Sequence, residues 1–134
     1  MTTTIWPQPL IVVRDVPKSS QFYAHVLGAE SAHGGEAYDQ LVSGGELILQ
    51  LHHIDVDDHH GPLASGDVPL GNGALLWFEV SDFDAAVQRA RDVEAHIERD
   101  VEVNPNAKQQ EIWLRDPDGY RVVLAGPSQY RPRA

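Results

Sequence analysis

The sequence contains no cysteine, few basic residues and no long apolar run, and each shortage excludes a class of protein. Without cysteine there are no disulfide bonds, thiolate metal ligands or cysteine nucleophiles, a composition typical of cytoplasmic proteins. No apolar run approaches the roughly 20 residues that a membrane-spanning helix needs. The first ten residues lack a basic segment followed by an apolar core, so they do not resemble a signal peptide. We therefore expect a cytoplasmic protein with no membrane partner.

The charge balance excludes a second class of partner. The 134 residues include 20 acidic and 10 basic side chains, which gives a formal net charge of −10. Such a surface repels phosphate groups, so we expect no nucleic-acid partner. The length and the 42% hydrophobic content are those of one globular domain, and we assign residues 1–134 to a single domain.

The first half of the chain, residues 5–60, has the pattern of a strand, a helix and further strands. The β-branched run Leu10–Val13 predicts a strand. Asp15 is a candidate N-cap for a following helix, and Gly28 is a candidate for its C-terminal end. Two more strands are predicted near residues 37–42 and 47–53, joined by a tight turn at Gly44-Gly45.

The same pattern begins again after an irregular linker at residues 61–73. In the second half, residues 74–126, a strand is predicted at 74–80 and Asp82 is a candidate N-cap for a second helix. Strands are predicted near 98–101, 109–115 and 121–125, the last two separated by the turn 116–119. The two N-cap candidates differ by 82 − 15 = 67 residues, which indicates an internal repeat of one βαβββ unit.

Three motifs, in this order, connect the repeat to a known family. Residues 15–28 carry an Asp, a Ser, Phe-Tyr and Leu-Gly; residues 77–82 read Trp-Phe-Glu-Val-Ser-Asp; and residues 114–120 read Leu-Arg-Asp-Pro-Asp-Gly-Tyr. Over about residues 7–126 the chain resembles the vicinal oxygen chelate superfamily of glyoxalase I, ring-cleaving dioxygenases and bleomycin resistance proteins. The resemblance implies an α+β fold in which tandem βαβββ modules form a curved mixed sheet around a concave pocket. It also implies a homodimer.

The resemblance implies a divalent cation held by four side chains in the catalytic members. By spacing from the motifs, the equivalent positions here are Gln8, Gln50, Leu75 and Val123. Leucine and valine cannot coordinate a cation, and two neutral amides make a poor site for a transition metal. We therefore expect that the family's metal site is lost and that the protein has no cofactor.

The vacated site is predicted to be a pocket for a small molecule. Trp113 occupies a position where ring-cleaving relatives carry a pocket-facing aromatic residue, and strand alternation places further side chains on the same face. The predicted lining consists of two indoles, two amides, one carboxylate, one imidazole and two apolar side chains: Gln8, Gln50, His52, Leu75, Trp77, Glu111, Trp113 and Val123. This mixture favours a hydrophobic or aromatic ligand. The alternative is that both tryptophans pack in the core.

A run of histidines and aspartates, residues 52–60, leaves other functions open. It is either a solvated loop or a source of metal ligands. His52 and Glu111 are candidate catalytic residues. They would act as a relocated ligand pair in a metal-dependent lyase, isomerase or dioxygenase, or as an acid–base pair without a cofactor.

Overall fold

A computed structural model describes residues 3–56, 61–129 and 133 of the chain. It consists of two βαβββ modules, as predicted. The first module comprises β1 (Leu10–Val13), α1 (Val16–Leu27), β2 (Glu30–Ser31), β3 (Tyr38–Ser43) and β4 (Glu46–His53). The second comprises β5 (Leu75–Glu79), α2 (Phe83–Asp92), β6 (His96–Asn104), β7 (Gln109–Arg115) and β8 (Arg121–Ala125).

Each module forms one four-stranded mixed sheet with the same topology. The strand orders are β1-β4-β3-β2 and β5-β8-β7-β6. The first strand of each module runs parallel to the last, and the other neighbours are antiparallel. Leu10 pairs with Gln50 in the first sheet, and Trp77 pairs with Val123 in the second. Because 77 − 10 is again 67, the strand register reproduces the sequence repeat, and Gln50 and Val123 occupy equivalent places.

The two helices begin differently. The carboxylate of Asp15 accepts a hydrogen bond from the backbone N–H of Lys18 at 3.0 Å, so it caps α1 as predicted. Gly28 ends that helix with a φ of +66°, a conformation that favours glycine. Asp82 occupies the N-cap position of α2, as predicted, but its side chain accepts no capping hydrogen bond. The Asp82 carboxylate instead accepts a bond from Arg89 Nη1 at 2.9 Å, because the guanidinium group seven residues further along the chain offers a charged donor.

Both helices pack on the same side of the sheets. Each sheet therefore has one face covered by the helices and one face turned away from them. Alternate strand residues such as Leu49, Leu51, Ile112 and Leu114 are fully buried in one apolar cluster with residues of α1 and α2. The residues between them point the other way. We call the sheet face turned away from the helices the open face.

Buried polar groups join the modules on the helix side. The hydroxyl of Tyr23 in α1 donates to Asp116 Oδ2 at 2.5 Å, and the hydroxyl of Tyr120 donates to the carbonyl of Val12 in β1 at 2.8 Å. Burial raises the pKa of Asp116, although the bond from Tyr23 opposes this effect. Burial and the neighbouring Asp116 carboxylate raise the pKa of Tyr23. These contacts fix the β7–β8 turn against the first module.

Two strands differ from the sequence prediction. The two-residue β2 carries no apolar pattern by which it could be recognised. The strand predicted near residues 98–101 is the longer β6, in which most side chains are exposed and the register shifts twice. Within the described ranges, no helix is both long and apolar enough to cross a membrane.

Candidate functional site

The open face of the second sheet carries a row of side chains that crosses all four strands. Trp77 on β5 pairs with Val123 on β8, Val123 pairs with Trp113 on β7, and Trp113 pairs with Arg99 on β6. We call these four residues the indole row. Val123 is completely buried, whereas Trp77 is 41% exposed. Val123 is therefore covered by its neighbours and offers no surface to a ligand, whereas Trp77 keeps a large exposed surface and does not pack in the core.

The spacing of the indole row suits a planar ring. Neighbouring strands lie about 4.8 Å apart, so the Cα atoms of Trp77 and Trp113 are about 9.6 Å apart across Val123. Stacked aromatic rings have centroids roughly 4.5–7 Å apart. A ring lying on top of the row, over the covered Val123, would thus be within reach of both indoles.

A hydrogen-bonded carboxylate holds the Trp113 ring. Its Nε1–H donates to Glu111 Oε1 at 2.9 Å, and Asn104 Nδ2 donates to Glu111 Oε2 at 3.2 Å. Glu111 is only 3% exposed, and both bonds are partly buried. The Arg99 guanidinium carbon lies 5.2 Å from the Trp113 ring centroid, in a cation–π arrangement. Trp113 is therefore held by Glu111 and Arg99, and Asn104 in turn holds Glu111.

A hollow adjoins the indole row. Its volume is about 450 Å³, within the range of small-molecule pockets. It is bounded by Leu75, Trp113, Arg115, Arg121 and the loop 69–74. Leu75 pairs with Arg121, and Arg121 pairs with Arg115, so these three residues form a second row across the strands, the arginine row.

The first module contributes a separate polar group of side chains. Gln50 Oε1 accepts from the Tyr38 hydroxyl at 2.5 Å, and Gln50 Nε2 donates to the backbone carbonyl of Gln8 at 2.9 Å. The side chain of Gln8 is exposed before β1. His52 is buried, with its Nδ1 2.9 Å from the carbonyl of His53. Both ends of the Gln50 amide are thus engaged in protein hydrogen bonds.

The four family-equivalent positions do not fit a divalent cation. Gln50 already uses its amide oxygen as the acceptor for Tyr38, and Leu75 and Val123 have no donor atom. Among residues 3–56, 61–129 and 133, no three His, Asp or Glu side chains are grouped as metal ligands would be. Asp57, Asp58, His59 and His60 of the histidine-rich run lie outside the described residues.

The predicted lining residues are divided between the two sheets. Gln8, Gln50 and His52 belong to the first module, and the five others belong to the second: Leu75, Trp77, Glu111, Trp113 and Val123. Glu111 takes its hydrogen bonds from Asn104 and Trp113 of its own sheet. The role of His52 and Glu111 as a catalytic pair stays a prediction.

Sequence reasoning missed several residues of the site. Arg115 lies two residues after Trp113, and Arg121 lies two residues before Val123, so strand alternation could have identified both. Arg99 could not have been found in this way, because the register shifts of β6 disturb the alternation. Tyr38 carried no signal beyond its place in a predicted strand.

Comparison with known proteins agrees with this architecture. The family model of the glyoxalase/bleomycin resistance protein/dioxygenase superfamily matches residues 6–124. The chain belongs to this superfamily. The predicted resemblance and the predicted fold class are thereby confirmed.

Solved structures of the superfamily type superimpose on most of the chain. A lactoylglutathione lyase from Agrobacterium tumefaciens has a TM-score of 0.70 at 18% identity, covering 94% of this chain and 96% of that one. A superfamily member from Nocardioides has a TM-score of 0.72 at 17% identity, covering 100% and 90%. TioX from Micromonospora sp. ML1 has a TM-score of 0.70 at 17% identity, covering 89% and 95%. At such identities the likeness concerns the fold. No curated protein sequence matches the chain.

Proposed function

We propose that this superfamily member binds a hydrophobic or aromatic small molecule on the open face of its second module, without the family's divalent cation. The observation that supports this proposal best is the indole row, in which Trp77 and the partly exposed Trp113 flank the buried Val123. Val123 stands where the family carries a metal ligand. The position of the lost metal ligand therefore lies between two partly exposed aromatic side chains.

The energetics favour an aromatic ligand. Trp77 leaves 41% of its surface exposed and Leu75 leaves 42%, an unusual arrangement for neighbouring large apolar side chains. Covering apolar surface contributes roughly 25 cal/mol per Å², and an aromatic pair adds about 0.5–1.5 kcal/mol beyond area. A bound ring would gain from both effects on either side of Val123.

Catalysis stays a prediction. In the superfamily's enzymes, as the resemblance implies, the metal supplies the electrophile, and the side chains at the equivalent positions here supply none. His52 and Glu111 remain candidate catalytic residues. A rearranged metal site in a lyase, isomerase or dioxygenase would need ligands beyond those grouped in the described residues.

We further propose a cytoplasmic homodimer in which a second copy covers part of the open faces. Exposed apolar side chains occur on both open faces and would be buried by such an arrangement: Leu10, Leu75 and Trp77. A dimer would also bring the polar group of one first module to the indole row of another copy. Sedimentation equilibrium should give twice the mass of 14.8 kDa; a monomer at high concentration would contradict the dimer.

The binding proposal is tested by calorimetric titration with 2-naphthamide, a neutral planar probe. We expect saturable binding that is unchanged by EDTA, and about tenfold weaker binding to Trp77→Ala, which loses one stacking wall. Trp6→Ala is the matched control, since Trp6 is also exposed but lies outside the indole row. Binding that disappears on chelation, or that survives Trp77→Ala unchanged, would contradict the proposal.

A further inference from the structure

We propose that the ligand of the second module is an aromatic anion, whose charged group lies over Arg115 and Arg121 while its ring lies on the indole row. This inference rests on the function proposed above and specifies the chemical class of the ligand. It is carried by the order of the side chains on the open face.

The arginine row lies at the right distance from the indole row. Arg121 is two residues before Val123 on β8, and Arg115 is two residues after Trp113 on β7. Two residues of a strand span about 6.8 Å, and both pairs point to the same face. A carboxylate attached to a ring on the indole row would therefore reach the guanidinium groups. Both arginines and Trp113 line the same hollow of about 450 Å³.

The arginine row carries an excess positive charge. Glu98 accepts from Arg115 Nη2 at 2.7 Å and from Arg121 Nε at 3.2 Å, so one carboxylate is shared by two guanidinium groups. The formal charges of Arg115, Arg121 and Glu98 therefore add up to +1. Arg115 is further fixed by its Nη1 bond to the carbonyl of Gly119 at 2.8 Å. The cluster is thus held in place before any ligand arrives.

Arg121 offers free donors to a ligand. Its side chain is 49% exposed and its bonds to Glu98 involve Nε and Nη2. Within the described chain, Nη1 of Arg121 has no hydrogen-bond acceptor. A guanidinium group has five N–H donors in a planar fork that matches the two oxygens of a carboxylate. Arg121 can therefore bind an anion without giving up Glu98.

On the side of the indole row away from the arginine row, the side chains are acidic. This difference in charge determines which way an anionic ligand is oriented. Glu79, Ala125 and Glu111 form the next row across β5, β8 and β7. Arg133 pairs with Glu79, whereas the partners of Glu111 are the neutral groups of Trp113 and Asn104. An anionic group would be repelled from this side. The formal net charge of the protein is −10, so most of its surface disfavours an anion. The arginine row is therefore where the anionic group of the ligand is most favourably placed.

The proposal is tested by comparing 2-naphthoate with 2-naphthamide, which has nearly the same shape but no charge. At pH 7 and low salt we expect the wild-type protein to bind 2-naphthoate about tenfold more tightly. Arg121→Gln should abolish this preference and leave the affinity for 2-naphthamide within about twofold. Arg121→Lys should retain part of it, because the charge remains. Thermal unfolding of each variant verifies that it is folded.

Arg91→Gln is the matched control. Arg91 is an exposed arginine on α2 that pairs with Asp100 and lies outside the open face, so its loss changes the net charge by the same amount. The preference should survive in this variant. Equal affinities of the wild type for both probes would overturn the inference and leave the aromatic site intact. A preference that persists in Arg121→Gln, or that falls equally in Arg91→Gln, would also overturn it. Binding of neither probe would contradict the aromatic site itself.

Discussion

The substitution Asp39→Asn gives a stability prediction whose size follows from the structure. Asp39 on β3 is only 2% exposed. Its carboxylate accepts bonds from the hydroxyl groups of Ser20 and Ser31 at 2.5 and 2.6 Å, and from the backbone N–H groups of Gly34 and Gln40 at 2.6 and 2.8 Å. Burial raises the pKa of this carboxyl group, but the hydrogen bonds outweigh it and lower the pKa from 3.8 to about 2.

The sign and size of the effect follow by linkage. A carboxyl group whose pKa is lower in the folded protein contributes stability above its unfolded pKa and loses it as the pH falls through the folded pKa. The shift of 3.8 − 2, or about 1.8 pH units, corresponds to about 2 kcal/mol, since one unit is about 1.4 kcal/mol. The asparagine side chain does not titrate, so its variant lacks this pH-dependent contribution.

The assay is urea unfolding of the wild type and Asp39→Asn between pH 7 and pH 2. At pH 7 we expect the variant to be less stable by about 2 kcal/mol or more, because its amide nitrogen faces donors. The difference in unfolding free energy should shrink by about 2 kcal/mol between pH 5 and pH 2. Asp84→Asn, at an exposed position in α2, is the control. A difference that stays constant over this range would refute the reasoning.

Two further stability predictions concern contacts between the modules and beside the hollow. Tyr23→Phe leaves the buried Asp116 carboxylate without its 2.5 Å donor and should cost about 1–3 kcal/mol in urea unfolding at pH 7. Because burial already raises the pKa of Asp116, that cost should fall as the pH falls; an equal cost at pH 3 would contradict it. Gly71→Ala should lower the melting temperature more than Gly73→Ala. Both glycines have positive φ, but a Cβ at Gly71 would lie 3.0 Å from the Tyr120 ring, whereas one at Gly73 meets nothing within 4 Å; equal losses would contradict this steric account.

The fold was largely readable from the sequence, because its signals are local. Leu10–Val13, Gln109–Arg115 and Arg121–Ala125 alternate or cluster apolar residues, and the predicted strands have the observed bounds. The Asp15 cap and the Gly28 end of α1 also depend on neighbouring residues alone. The polar β6 has no such pattern, and only its pairing with β7 makes it a strand.

The site was predicted in part, because its geometry depends on strand register. Alternation along single strands was enough to place Trp113 with Glu111, and Trp77 with Leu75. The row from Trp77 to Arg99 exists only through pairing between strands that are distant in the chain. The Asp82 side chain bonds Arg89 rather than the N–H groups at the start of α2. A capping rule could not predict this, because the rule does not include a competing donor from elsewhere in the chain.

The central claim is that an aromatic ligand lies against the exposed surfaces of Trp77 and Trp113 without a metal ion. It is tested most directly by the indole Nε1–H signals in a ¹H–¹⁵N correlation spectrum, assigned by single Trp→Phe variants. We expect 2-naphthamide to shift the signals of Trp77 and Trp113 together, by ring currents, with the same saturation curve and with no change on addition of EDTA. Binding that leaves both signals unmoved, or shifts that EDTA abolishes, would contradict the claim.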